Sequence, residues 1–153
     1  MSEHNITIEW KNTKSDFIYE SYERTYKVFY EGGQTILGSS TKATFGDDQY
    51  ANPEELLASA VSSCHMLTFL AVASKKKKNV LEYIDNATAV LEKGESGKLV
   101  VTKVFLRPKV KLEGEITKEE LDKIHEAAHR NCFIGLSIKS EVIIEPDYSF
   151  SGL

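Results

Sequence analysis

One stretch limits the folds open to this chain more than any other. From residue 56 to 73 the chain is mostly apolar or small, and the run ends in four lysines, Lys75, Lys76, Lys77 and Lys78. Asn52 is a favoured N-cap and Pro53 suits the first helical position. Glu54 and Glu55 fall in the first turn, where the helix dipole favours negative charge, and the lysines complement the opposite pole. The pattern predicts one long helix, apolar enough to be buried on more than one side. The lysines are read as its solvated end.

The flanking segments read as sheet. Residues 6–10 alternate as a strand does. Residues 22–30 and 34–39 are rich in aromatic and β-branched types, with Glu31, Gly32 and Gly33 between them, which predicts a hairpin. After the helix, residues 80–93 and 98–112 form two long strands turned at Glu95, Ser96 and Gly97. Pro108 marks an edge position or an irregularity in the second. Thr117 followed by Glu120 is a capping box, opening a helix that runs to about Asn131. Residues 138–144 are a last strand, closed by Pro146. The order is three strands, helix, two strands, helix, strand. This is an α+β chain, antiparallel sheets around a central buried helix, expected as a single domain over residues 1–153.

Composition excludes some functions. Net charge is −4 and the pI near 5.6, which argues against a nucleic-acid partner. No run is read as approaching the ~18 apolar residues of a membrane span. The start, Met1 to Asn5, is polar and lacks the apolar core of a signal peptide, so a cytoplasmic location is expected. There a permanent disulfide is disfavoured and a transient catalytic one is not.

That bears on Cys64 and Cys132, the two cysteines of the chain, 68 positions apart. Both fall at helical positions. Cysteine packs well as a small hydrophobe, so two unrelated core thiols are one reading and thiol redox chemistry is the other. The residues around Cys64 favour the second. Asn52-Pro53-Glu54-Glu55-Leu56, then small residues, then a cysteine ten positions after Glu54, resembles the OsmC/Ohr family of osmotically inducible and organic hydroperoxide resistance proteins. The second family cysteine follows the later helix, where Cys132 stands, and the element order matches along nearly the whole chain.

The resemblance implies a peroxidase that reduces organic hydroperoxides in oxidative-stress defence, with Cys64 attacking the peroxide and Cys132 resolving the sulfenic acid as a disulfide. It implies an external dithiol as reductant, such as a lipoylated protein, and no metal or other cofactor. Glu54 matches the family's active-site Glu. Ten residues of helix put it about 15 Å from Cys64, so an antiparallel partner helix is expected to bring the two together across the intertwined homodimer of the family. The family also uses an arginine. Arg24 is the one arginine before Cys64 and takes that role, orienting Glu54 and stabilising the thiolate, with Lys42 as the alternative cation.

Three further features need weighing. His65 follows Cys64 at a helix angle of about 100°, which keeps it from serving Cys64 as a base in the same subunit. It is read as tuning substrate choice or packing at a dimer interface. Met66, Leu67, Phe69 and Leu70 are read as an apolar wall or as core. His125-Glu126-Ala127-Ala128-His129 is a literal zinc-protease motif. No third histidine follows it, and only 24 residues remain after His129. Exposed helix histidines are the default expectation, and a zinc site from Cys64, Cys132 and one of these histidines lacks a close-spaced cysteine pair. A non-catalytic small-molecule binding or stress protein on the same fold is the alternative to the enzyme.

Overall fold

The structure is a computed structural model and describes residues 1–150. Contacts gather into two compact units, Met1–Leu56 and Leu57–Leu153, with the boundary inside the long helix. Each is described by itself.

In the first unit, β1 (Ile6–Glu9), β2 (Tyr26–Tyr30) and β3 (Thr35–Gly38) form an antiparallel sheet in the order β1-β2-β3. Val28 is the buried member of β2 and stands opposite Ile8 and Ile36. Gly33 closes the hairpin at φ 83°, a left-handed position that a side chain would strain. β2 begins at Tyr26 rather than in the low twenties; the preceding residues form a turn in which the Tyr19 and Tyr22 carbonyls accept from Arg24. After β3 a short 3-10 turn, Lys42–Thr44, leads into Phe45 at φ 62°. A Gly38–Ala51 bridge then delivers the chain to the helix.

α1 (Pro53–Lys75) starts with reciprocal capping. Asn52 Oδ1 accepts from the Glu55 N–H and Glu55 Oε2 accepts from the Asn52 N–H, each at 2.9 Å. Burial follows one stripe, Ala58, Val61, His65, Phe69 and Ala73, spaced three or four apart. Ser59, Ser63, Leu67 and Ala71 are exposed on the other side, so within this chain the helix is buried along one face and not all round. By length and composition α1 is apolar enough to cross a membrane, which corrects the expectation that no segment is. A core helix passes the same test.

In the second unit each expected long strand is two strands. β4 (Val80–Asp85) and β5 (Thr88–Lys93) form one arm, and β6 (Leu99–Leu106) and β7 (Pro108–Leu112) the other. β5 pairs with β6 and β4 with β7, both antiparallel. The break has a chemical cause. Pro108 carries no N–H for the ladder, and the Arg107 N–H donates at 2.6 Å to the Asp85 carboxylate, which also accepts from Ser62 Oγ. α2 (Lys118–Asn131) opens with the expected capping box at Thr117 and Glu120. A five-residue helix, α3 (Phe133–Ser137), follows it. β8 (Glu141–Ile144) joins β6 in parallel, the exception to otherwise antiparallel sheets. The core of this unit has two parts. Phe69, Val110, Ile116, Leu121 and Ile124 form one, and Val61, Val104 and Leu106 the other.

Candidate active site

The second unit brings the two thiols together. Cys64 is half-buried on α1 and Cys132 is 1% exposed at the junction of α2 and α3, and both are free thiols. Cys64 lies close enough to act on the ionisation of the Cys132 thiol. Local structure fixes Cys132 firmly. It is the N-cap of α3, and its sulfur accepts from the Gly135 N–H at 3.4 Å. The Val61 carbonyl lies 4.0 Å away. A Cβ on Gly135 would stand 3.4 Å from the sulfur, so the turn closes tightly over it. Burial, the largest effect, pushes the Cys132 thiol up to about 11, aided by Cys64 and opposed by the Gly135 N–H. At neutral pH Cys132 is therefore a protonated thiol.

Beside this pair lies a buried polar group that sequence reasoning did not single out. The Tyr83 hydroxyl is sealed in with no hydrogen-bond partner among the described residues. Burial pushes its ionisation up, with Asp85 and Cys132 adding to the effect. Tyrosine within a strand carries no pattern that announces such a position.

The other predicted site residues lie in the first unit. Glu54 is half-buried in the first turn of α1; burial pushes the Tyr26 ionisation up and the Glu54 charge adds to it. The helix is unbroken from Pro53 to Lys75, as the ten-residue rise from Glu54 to Cys64 requires. Arg24 is buried and bonds to the backbone carbonyls of Tyr22 and Tyr19 rather than to a carboxylate. Lys42 is exposed and paired with Asp48 at 3.5 Å.

The histidines depart from expectation. His65 is neither at a substrate wall nor on a free surface. It is fully buried and meets His125 of α2, Nε2 to Nδ1 at 3.2 Å with the rings 5° from parallel. His125 is 3% exposed, whereas His129 is exposed as expected. Burial lowers His65 to about 4 and His125 to about 3, so both are neutral imidazoles. Among the described residues no group of three or more His, Cys, Asp or Glu gathers as a metal site. The zinc-protease motif thus splits, one histidine in the core and one in solvent. The expected apolar wall also divides, because Phe69 is core while Leu67 is 62% exposed.

Comparison with known proteins agrees with this architecture. Residues 46–147 match the OsmC-like protein family, and the chain belongs to that family. An OsmC-like protein of unknown function from Vibrio cholerae shares 39% identity at a TM-score of 0.90, covering 96% of this chain and 100% of its own. The fold is also similar to an organic hydroperoxide resistance protein from Elizabethkingia anophelis, at 21% identity, TM-score 0.72 and coverage of 95% and 94%. A Bacillus subtilis organic hydroperoxide resistance protein gives 18%, 0.70, and 95% and 98%. None of the curated proteins matches the sequence.

Proposed function

We propose that this protein is a thiol-dependent peroxidase that reduces organic hydroperoxides to alcohols. The observation that carries the reading is the pairing of Cys64, half-exposed, with Cys132, sealed beneath it and protonated. Membership in the OsmC-like family, with hydroperoxide resistance proteins among its structural neighbours, supports a peroxidase-type stress role.

In the proposed cycle the Cys64 thiolate attacks the terminal oxygen of ROOH. The O–O bond breaks, the RO⁻ leaving group takes a proton, and Cys64 becomes a sulfenic acid. Cys132 then attacks that sulfur, its proton leaves with the hydroxyl as water, and a Cys64–Cys132 disulfide forms. Two electrons from an external dithiol, a lipoylated protein being one such donor, restore both thiols. A protonated, enclosed Cys132 does not compete for peroxide in the first step, and it gives up its proton as it attacks the sulfenic acid.

Glu54 and Arg24 complete the proposed site from the partner chain of a homodimer, with Arg24 orienting the Glu54 carboxylate. The exposed stripe Ser59, Ser63, Leu67 and Ala71 of α1 supports a second helix packing there. A cytoplasmic location fits a cycle that needs the disulfide reduced.

The test is a thiol titration. Reduced protein receives one equivalent of cumene hydroperoxide, and free thiols and intact mass are followed, with Cys64→Ser and Cys132→Ser alongside. The expected result is rapid loss of both thiols in the parent and none in Cys64→Ser. Unreacted thiols in the parent would sink the proposal. For the shared site, mixing Glu54→Gln with Cys64→Ser should recover about one quarter of parental activity, the share set by random exchange of chains in a two-fold dimer. No recovery after demonstrated exchange would place Glu54 and Cys64 in the same chain, and full activity of Glu54→Gln alone would remove Glu54 from the site.

A further inference from the structure

The Tyr83 hydroxyl is a buried polar group that the proposed cycle leaves unused, and it has no hydrogen-bond partner among the described residues. A hydroxyl held away from water without a partner is destabilising, and native proteins keep few of them. The surroundings of Tyr83 supply a reason for this one.

β4 lays one face on α1. Asp85 accepts from Ser62 Oγ at 2.5 Å, and Tyr83, two residues earlier on the same face, sets its ring 5.5 Å from that of Phe69. Ser62 and Phe69 stand about two turns apart on α1. Next to Ser62, the Val61 carbonyl lies 4.0 Å from the Cys132 sulfur. Asp85 and Cys132 both act on the Tyr83 ionisation, so the hydroxyl end of the ring reaches from Phe69 back towards the level of the thiols. Burial keeps that hydroxyl protonated, which makes it a donor and not a base.

Cys132 lacks a strong donor. Of the groups that act on its ionisation, only the N–H groups of Gly135 and Ile134 favour the thiolate, and no cation is among them. Its sulfur must nonetheless carry negative charge as it attacks. A hydrogen bond to a charged acceptor is about twice as strong as one between neutral groups, so the Tyr83 hydroxyl gains most at that moment.

We infer that Tyr83 serves the closure of the disulfide: its O–H donates to the Cys132 sulfur as that sulfur gives up its proton and attacks Cys64. The Cys132 S–H bond and the S–O bond of the Cys64 sulfenic acid break, the S–S bond forms, and the proton leaves with the hydroxyl as water. Tyr83 keeps its own proton throughout. This role rests on the thiol pairing proposed above and not on the identity of the oxidant.

The experiment therefore replaces peroxide with an aryl disulfide, dithiobis-nitrobenzoate, on the reduced full chain. Attack by the half-buried Cys64 releases one nitrothiobenzoate and leaves a second bound to Cys64 as a mixed disulfide. Attack by Cys132 on the Cys64 sulfur releases the second, and visible absorbance follows both releases. Cys132→Ser should show the first release alone. Tyr83→Phe keeps the ring and loses the hydroxyl. Its first release should run at the parental rate and its second about tenfold slower, the effect of losing one hydrogen bond to a charged group. Its Tm should be no lower than the parent's, because a buried unpaired hydroxyl is gone. Fluorotyrosine at position 83, a stronger donor of nearly the same shape, should return the second rate to the parental value or above it. Equal second rates in the parent and Tyr83→Phe overturn the inference. So does an equal slowing of both releases, which assigns the effect to the packing of α1, or a fluorotyrosine protein as slow as Tyr83→Phe. A parent without a second release loses the thiol pairing itself, and the inference with it. Peroxide is absent throughout, so a protein that passes here and fails the peroxide titration keeps this role of Tyr83 and loses the peroxidase reading.

Discussion

At the scale of single residues, the buried histidine pair makes the clearest demand on conditions. His65 and His125 both titrate below the ordinary histidine value, at about 4 and about 3, chiefly because burial penalises the charged ring. His129 pushes His65 down further, while Asp122 acts in the opposite direction on His125. Well above pH 6.5, the ordinary histidine value, neither state of the protein binds these protons and folding is unaffected. As the pH falls from there towards 4, the unfolded chain takes up protons that the folded core refuses, so stability declines. Each histidine contributes at most about 1.4 kcal/mol per pH unit. Urea midpoints of the parent and of His65→Leu/His125→Leu, measured between about pH 7 and 4.5, should diverge, the parent losing more. Parallel curves would show that the pair does not carry the acid sensitivity. Neither half of this contact was legible in the sequence. His65 stood beside a cysteine and His125 inside a zinc-like motif, and only the packing of α1 against α2 joins residues 60 positions apart.

Elements were more legible where the signal is local. Thr117 and Glu120 announced the start of α2, Asn52 and Pro53 that of α1, and Pro108 the interruption of its strand. The split of both long strands, the parallel placement of β8 and the existence of α3 depend on non-local pairing, and no short-range pattern carries them. The lysine run shows the same division. Lys75, Lys76 and Lys77 are exposed as expected, but Lys78 pairs with Glu120 at 3.6 Å and Lys77 sits at φ 58°. Lys77 thus fills the left-handed C-terminal position at which helices usually place glycine, and its neighbour's N–H returns to the Ala73 carbonyl. Lys77→Gly should therefore stabilise the protein by about 1 kcal/mol, raising Tm by about 2–4 °C for a chain of this size. An unchanged or lower Tm on thermal unfolding would show that the loss of the lysine side chain outweighs the backbone relief.

For the whole molecule, the family and its fold were readable from the Asn-Pro-Glu-Glu-Leu segment and the two cysteines in register. The spacing of 68 residues contains no geometry by itself, however. The two thiols meet only because the α2–α3 junction folds back beneath α1. That junction has a consequence for how the molecule signals its state. The sulfur of Cys132, the resolving thiol of the proposed cycle, is also the group that holds the first turn of α3 through the Gly135 N–H. Once bonded to Cys64 it is a poorer acceptor, and α3 carries Phe133 and Leu136 at 78% and 69% exposure with little packing to replace the lost cap. Oxidation should loosen this five-residue segment while the sheets stay protected, a contrast that amide exchange by mass spectrometry reads directly. Equal exchange in both redox forms would count against it. If the contrast appears, the oxidised protein carries a flag on its surface, two loosened apolar side chains by which the dithiol of the proposed cycle can tell a molecule awaiting electrons from one that is already recharged.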